Sequence, residues 1–518
     1  MKWIIPKKLT ASEKRVVERL HRRSRFFVFL REIRHELFDE GFQTELAAVY
    51  APRGQEPVPP ALLAMVTLLQ AYTGASDAEA VEAAEMDRRW QLVLGSLDMD
   101  ARCFGQGSLV RFRTRLVAGE LDRRLLDRTV ELAKRTGKFG WKKLRVALDS
   151  SPLRGAGRVE DGWNLIGHAM EQLVTVLARV SKMQRGTIIK RCGATLLGGA
   201  SLKANLDIDW DDLAARSITL AMVVDQAREL IRWGRTQLPR LMENESVSDA
   251  VDVLEMVIEQ NTEPDPDTPG GRRMRQGVPP NRLCSIGDTD MRHGRKSSSK
   301  GFSGYKRHVA TLVDAPLVLA ARALPANQPE NQAVPILLDE VTLHGQLAEL
   351  FIDRGYVSHP RIAELFREKT PVRCRPWPGI NRHGLFTKSE FSIDLRRRQV
   401  TCPAGHSASY TAATRRATFG AALCNPCKLR SQCTASKLGR AVTVHPQESL
   451  LKKLTRSVAT KPGRKLLRKR VPVEHRLARI QSKQGGRARY KGERMNTFDL
   501  RRHAALANLL EVSRAVAA

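Results

Sequence analysis

The chain has 518 residues, 42% of them hydrophobic, and a formal net charge of +32 from 87 Lys and Arg against 55 Asp and Glu. That length allows about three domains, and the hydrophobic content excludes wholesale disorder. The cationic excess points to a polyanionic partner, nucleic acid before an anionic membrane surface, and no apolar run reaches the ~18–20 residues that span a bilayer, which excludes an integral membrane protein.

The N-terminal stretch MKWIIPKKLTASEKRVVERL turns charged within a few residues, unlike a secretory signal. Residues 1–140 are expected to be an all-α domain. Apolar residues recur at helical spacing in Leu20–Phe42 and Ala61–Tyr72, and Pro59 and Pro60 stand where a helix tolerates proline. Ser76 or Asp77 is the expected cap of a helix through Ala78–Arg88. After Ser108, Leu109, Phe112 and Leu116 form an apolar stripe interleaved with Arg111, Arg113 and Arg115. These arginines are DNA-contact candidates, and a plain helical bundle with solvated arginines is the alternative.

Leu144–Asp149 (LRVALD) is the first expected strand, short, apolar and ending on a carboxylate. Helical stretches follow at Trp163–Val180 and Thr219–Gln260, broken by Gly and Ser near Gly198–Ser201. Trp163 and Trp233 in them, and Trp210 between them, are expected in a core. Asn261–Asn281 is rich in Pro, Gly and charge and is expected to be a linker. Strands are expected at Tyr305–Val313, Leu317–Leu324, Glu349–Asp353 and Pro371–Arg375, with helices at Glu330–His344 and Ala363–Lys369. Ile380 to about Val444 is expected to be irregular, and Leu450–Ile480 and Asp499–Ala517 helical. Strands alternating with helices predict an α/β core on a mixed sheet.

Asp149 and Asp353 each end a strand. Converging carboxylates of this kind hold Mg²⁺ for phosphate chemistry, and capping the following turn is the alternative role of each. Glu474 is one of three acids among fourteen Lys or Arg between Gly463 and Arg502. It is either a salt-bridge partner of Arg470 or a metal ligand. Cys402, Cys424, Cys427 and Cys433 fall within 32 residues, with a CxxC knuckle at Cys424–Cys427. They form either a structural Cys₄ zinc site, in which His406 can replace one ligand, or four reduced cysteines. Lys296, Lys300 and Lys306 can neutralise phosphates, and Tyr305 can stack on an unpaired base.

Several blocks, taken together and in order, resemble bacterial insertion-sequence transposases of the DDE type. They are SLVRFRTRL, LRVALDSSPLRGAGRVEDGWNL, GDTDMRHGRKSSSKGFSGYKRHVATLVD, ELFIDRGY, the cysteine segment and VEHRLARIQSKQGGRARYKGERMNTFDLRRHAALANL. The resemblance implies a ribonuclease-H-like mixed sheet interrupted by a helical insert, an N-terminal helical DNA-binding domain and a small cysteine-bearing insert. The implied divisions are 1–140, a catalytic core over 141–376 with the insert at about 155–282, 377–445, and 446–518 completing the core. It also implies that Asp149, Asp353 and Glu474 are the catalytic carboxylates, with two Mg²⁺ for which Mn²⁺ substitutes. Arg470, four residues before Glu474, fits the family. Leu467 and Gln481 stand where relatives carry Tyr and Lys, with Lys483 the nearest substitute, so Arg470 and Lys483 are the DNA-contact candidates here. Glu493 is the rival third acid.

The implied partners are double-stranded DNA, as terminal inverted repeats and as target, and a second copy of the chain. Two DNA ends must be paired, so a homodimer in a synaptic complex is expected, in the bacterial cytoplasm at the nucleoid and with no membrane partner. Two other readings remain: a decayed transposase acting as a non-catalytic repressor, and an RNA-processing nuclease of the same fold.

Overall fold

The computed structural model describes all residues except 1, 5, 52–54, 100–101, 142, 199–201, 298, 378–383 and 518. Three expectations touch residues outside the described ones: most of the Gly198–Ser201 break, Ser298 of the basic block, and the start of the Ile380–Val444 segment. No described helix is long and apolar enough to cross a membrane.

Among the described residues, eight α-helices run from Ala11 to Arg135. Helix Asp77–Met86 begins at Ser76, whose hydroxyl accepts from the Glu79 amide at 3.1 Å while Glu79 accepts from the Ser76 amide at 2.6 Å. This reciprocal cap satisfies two otherwise unpaired amides. Helix Pro60–Thr73 starts on proline, is buried nearly throughout, and ends at Gly74 with φ of +82°. Only glycine enters that left-handed region without strain.

The main sheet has six strands among the described residues. Strand β1 (Leu144–Arg154) is followed by a short hairpin, β2 (Thr262–Pro264) and β3 (Arg272–Met274), outside the sheet. The remaining sheet strands are β4 (Arg292–Arg295), β5 (Gly301–Leu312), β6 (Val318–Pro325), β7 (Leu347–Phe351) and β8 (Val372–Arg373). β1 pairs antiparallel with β5 and parallel with β7, β7 pairs parallel with β8, and β6 and β4 pair with β5. The protein is thus predominantly helical around a mixed sheet. β1 is five residues longer than Leu144–Asp149, because Ser150–Arg154 continue to pair with β5. Their polarity hides this. β7 ends opposite Ala147, so beyond that point β1 is flanked by one strand and tolerates Pro152.

The insert has its own core, including Trp163, Leu173, Val224 and Leu254, and Trp163 meets Trp210 edge to face at 5.2 Å. The expected linker at Asn261–Asn281 is instead a docked hairpin. Ser217 Oγ donates to the Arg272 carbonyl at 2.7 Å and accepts from the Gly270 amide at 3.2 Å. Side-chain hydrogen bonds, invisible to apolar periodicity, hold it. The cysteine segment is also structured. Strands β9 (Ser392–Asp394), β10 (Gln399–Thr401) and β11 (Ser407–Ser409) form one sheet, and β12 (Arg416–Phe419) and β13 (Arg440–Thr443) another. Phe391, Val400, Phe419 and Val444 form their core. Strands of three or four residues are too short to show alternation.

The last helix, Glu493–Ala517, is buried on most sides and packs on β6 and on helices Leu121–Arg135 and Pro60–Thr73. It joins the N-terminal helices and the sheet into one continuous core. Asn508 brackets the edge of β6, accepting from the Val318 amide at 2.7 Å and donating to its carbonyl at 2.9 Å. Covering an edge this way removes a template for aberrant pairing.

Two buried histidines make stability pH-dependent. Burial, with Lys306 nearby, pushes His308 down to about 3. Burial likewise takes His503 to about 4, against the pull of Asp499. Both stay neutral when folded and take up protons on unfolding, so their contribution is complete above the unfolded value near 6.5 and is lost as pH falls towards 4. Between pH 7 and pH 5 each should cost about 2 kcal/mol of stability. Thermal unfolding at the two pH values checks this, and an unchanged midpoint would contradict neutral burial.

Candidate active site

Strand register places the two aspartates. Ala147 of β1 lies opposite Phe351 of parallel β7. Two residues further on, Asp149, inside β1, and Asp353, just past the end of β7, stand at the same level on neighbouring strands. Glu474 arrives from the first turn of helix Val471–Gln484. Its neighbour Val473 is fully buried in a cluster with Ala147, Phe351 and Val313, which seats this turn over the two strands.

All three carboxylates meet one guanidinium. Arg470 Nη2 lies 2.9 Å from Asp149 Oδ1 and 4.0 Å from Glu474 Oε1, and Nη1 lies 3.6 Å from Asp353 Oδ1. The Asp149 and Arg470 side chains are 14% and 17% exposed, whereas Asp353 and Glu474 are 47% and 55% exposed. Burial pushes the Asp149 carboxyl up, with Arg470 and the Ser150 amide pulling against it and Glu474 adding to the rise. Burial would lower Arg470, but Asp149, Asp353 and Glu474 together hold it above its ordinary value. Each aspartate also accepts from the next amide, Ser150 at 2.9 Å and Arg354 at 2.8 Å. The turn-capping role and membership of the cluster therefore coexist.

A second layer lies behind β1. Ser150 Oγ donates to Glu330 Oε1 at 2.5 Å, and Tyr356 Oη lies 2.9 Å from His308 Nδ1. The Glu330 carboxylate fills the space where a Cβ on Gly355 would sit, so a side chain there would have to displace it. Nothing in the sequence signals Glu330, which lies 180 residues from Ser150 in a Pro-Glu-Asn turn. Sequence offered Glu474 as a partner of Arg470 and missed that Arg470 also reaches Asp149 and Asp353.

Cys402, Cys424, Cys427, Cys433 and His406 all line one small cavity of about 20 Å³. Burial and the three other cysteines raise the Cys433 thiol, and Cys424 Sγ donates to the Phe419 carbonyl at 3.4 Å. All eight cysteines are free. Among the described residues, no group of three or more His, Cys, Asp or Glu is already arranged to hold a metal ion.

A basic groove leads away from the far end of β1. Arg154, Arg158 and Arg487 line a cavity of about 730 Å³, and Arg154, Lys296 and Lys300 line one of about 620 Å³. Arg154 and Gly486 border both. At about 3.3 Å per residue, Arg154 lies some 16 Å along the strand from Asp149. Lys296 and Lys300 are exposed, as are Arg111 and Lys483, the last with its ammonium 5.0 Å from the Tyr72 ring.

Other expected DNA contacts are engaged elsewhere. Tyr305 is fully buried and donates to Asp288 at 2.5 Å, so its ring is no stacking surface for a base. Arg113 is buried in a bidentate pair with Asp77, and Arg115 lies 4.6 Å from the Tyr50 ring. Lys306 donates to the Gln328 carbonyl at 2.7 Å. Charge along a sequence does not reveal which side chains are spent on internal contacts. Glu493 pairs with Arg322 at 2.6 Å.

Two segments match known family models. One described as "Transposase DDE domain" matches residues 401–512, and one described as "Transposase domain (DUF772)" matches residues 15–115. Both support a transposase-superfamily identity. No curated protein and no solved structure matches the chain. The first transposase match spans the cysteine cavity, Arg470 and Glu474, and the second spans the N-terminal helices with Arg111, Arg113 and Arg115.

Proposed function

We propose that this chain is a DDE transposase that cleaves and joins DNA strands by in-line attack on phosphodiesters, using Asp149, Asp353 and Glu474. The observation that carries this reading is the meeting of three carboxylates, from β1, the end of β7 and a C-terminal helix, at one guanidinium. A pure DNA binder gains nothing from acids gathered in a positive cleft, because they repel phosphate. The strand order β6-β5-β1-β7-β8, with β5 alone antiparallel to β1 and β7, supports a ribonuclease-H-like core. The two transposase matches support the family.

The donor set suits Mg²⁺ or Mn²⁺: three carboxylates converge where a single cation already sits. Bound ions would supply Lewis-acid stabilisation of the attacking and departing oxygens. The chain's own residues do the rest. The strand register fixes both aspartates, Val473 seats the helix that carries Glu474, and Arg470 neutralises the cluster. The groove lined by Arg154, Lys296 and Lys300 would hold backbone phosphates, and no side-chain nucleophile is required. The N-terminal helices would bind the terminal inverted repeats, and two chains would pair two ends. The domain divisions and bacterial cytoplasmic setting inferred from sequence belong to the same proposal.

A nicking assay with third-acid variants tests this reading. Glu474→Gln should abolish nicking of end-bearing duplex, whereas Glu493→Gln, at a residue paired with Arg322, should retain it. The reverse pattern would move the centre.

We also infer a structural zinc on Cys402, Cys424, Cys427 and Cys433, with His406 as substitute ligand, because these side chains share one cavity in a module with a small core. Four protein ligands leave no open position, so the site would stabilise rather than react. One zinc per chain by atomic emission, lost in Cys427→Ser together with protease resistance of residues 391–444, is the expected result. A protease-resistant module without zinc would contradict it.

A further inference from the structure

The helical insert carries a second cationic face, apart from the groove at the end of β1. Arg228, Arg232 and Arg235 follow one another at i, i+4 and i+7 along helix Leu213–Gln237. That spacing puts all three on one side of the helix, with neighbours about 5–6 Å apart. Arg272 on β3 and Arg275 just beyond it face them across a cavity of about 580 Å³, floored by Ile231 and Ile258.

Three of the five arginines are ion-paired, Arg275 with Glu263 at 4.0 Å among them, which leaves Arg228 and Arg272 without a carboxylate partner among the described residues. Arg235 pairs with Glu255 at 3.0 Å, and Arg275 donates to the Glu259 carbonyl at 3.1 Å. Arg232 pairs with Glu229. Among the described residues the Arg272 guanidinium donates only to the Thr262 hydroxyl, at 2.7 Å, and the Arg228 guanidinium forms no hydrogen bond or ion pair. Burial lowers the Arg272 pKa and Arg228 lowers it further, with Asp225 pulling weakly the other way. Two like charges are thus held together in a concave site.

This differs from an ordinary solvated face. Arginines on a convex surface splay apart, whereas these converge from two elements. The hairpin that supplies Arg272 is also clamped in place. Ser217 Oγ binds the Arg272 carbonyl and the Gly270 amide, and the Ser217 backbone fills the space where a Cβ on Gly270 would sit. A bound anion would relieve the repulsion, and arginine is suited to bidentate phosphate recognition.

We propose that this cavity is a seat for the phosphate backbone of duplex DNA, with Arg228 and Arg232 contacting phosphates along one strand and Arg272 the phosphate nearest the floor. The proposal rests on the chain being a DNA-binding transposase. Because the seat lies on the helical insert and outside the carboxylate cluster, it would hold DNA without taking part in cleavage.

Salt-dependent binding tests it. Full-length protein, the Arg228→Glu/Arg232→Glu variant and an Arg191→Glu control are titrated with a non-specific duplex by fluorescence anisotropy across potassium chloride concentrations. Both cavity arginines are exposed, as is Arg191, so folding should be preserved. Losing two phosphate contacts should weaken binding about 10–100-fold near 0.1 M salt and reduce the slope of log K against log salt by about 2. The control should keep the wild-type slope. A variant slope equal to wild type would overturn the seat while leaving the transposase reading intact. A wild-type protein that binds no duplex would overturn both. Stabilisation by inorganic phosphate in wild type and not in the variant, with unchanged duplex slopes, would assign the cavity to a free anion and overturn the DNA assignment.

Discussion

Asp149→Asn is expected to slow DNA strand cleavage by about 10³-fold, equivalent to about 4 kcal/mol of transition-state stabilisation. Asn matches Asp in shape and can still accept from the Ser150 amide, so β1 should keep its pairing with β5 and β7. What is lost is the charge of the most buried acid in the cluster. Arg470 would still reach Asp353 and Glu474, so the helix carrying Glu474 should stay seated. Duplex affinity should remain within about two-fold of wild type, because the basic groove lies some 16 Å further along β1. Single-turnover nicking alongside gel-shift titration measures both quantities. Cleavage within ten-fold of wild type would remove Asp149 from the chemistry.

Arg470→Gln is expected to tighten divalent-ion binding while weakening the metal-free fold. The guanidinium occupies the point towards which three carboxylates converge. Its removal leaves Asp149 buried without its cation, at a cost of about 3 kcal/mol when no metal is present. The cluster then attracts a divalent ion without competition, and ligand binding to the folded state raises the unfolding temperature by mass action. The midpoint without metal should therefore fall by several degrees. Addition of Mn²⁺ should raise it further in the variant than in wild type, with about ten-fold tighter binding by calorimetry. Arg470→Lys should lie between the two. Equal Mn²⁺ shifts in variant and wild type would show that Arg470 and the metal do not share the cleft. On this account Arg470 is a positioning residue: it keeps the acids gathered and charged until metal and DNA arrive.

The parts of this arrangement that were legible in sequence are those written locally. LRVALD and ELFID are short apolar runs ending on a carboxylate, and the parallel register of β1 and β7 then sets Asp149 beside Asp353. Glu474 stood out as an acid in a basic, apolar-patterned helix. Arg470 was legible as a partner of Glu474, four residues off, but not of the two aspartates, because a guanidinium's choice between solvent, phosphate and carboxylate depends there on contacts 117 and 321 residues away. The Ser150–Glu330 contact depends in the same way on how the turn after β6 packs against β1. Tyr305 and Arg113 looked available to DNA because charge and aromaticity carry no record of burial, yet both are enclosed. The hairpin at Thr262–Met274 and strands β9 to β13 escaped notice because strands of three or four residues show no alternation, although they pair antiparallel in the fold.

The central claim is that Asp149, Asp353 and Glu474 form one metal-dependent strand-cleavage centre. Its most direct test is to incubate the wild-type protein with labelled duplex carrying the element's ends, in Mg²⁺ and in EDTA, and to map the products to the nucleotide. Nicks at the element boundary that leave 3′-hydroxyl ends are expected in Mg²⁺ and none in EDTA. Duplex binding with no cleavage in Mg²⁺ or Mn²⁺ would contradict it, and would leave the three acids as ion-pair partners of Arg470 in a protein that only binds DNA.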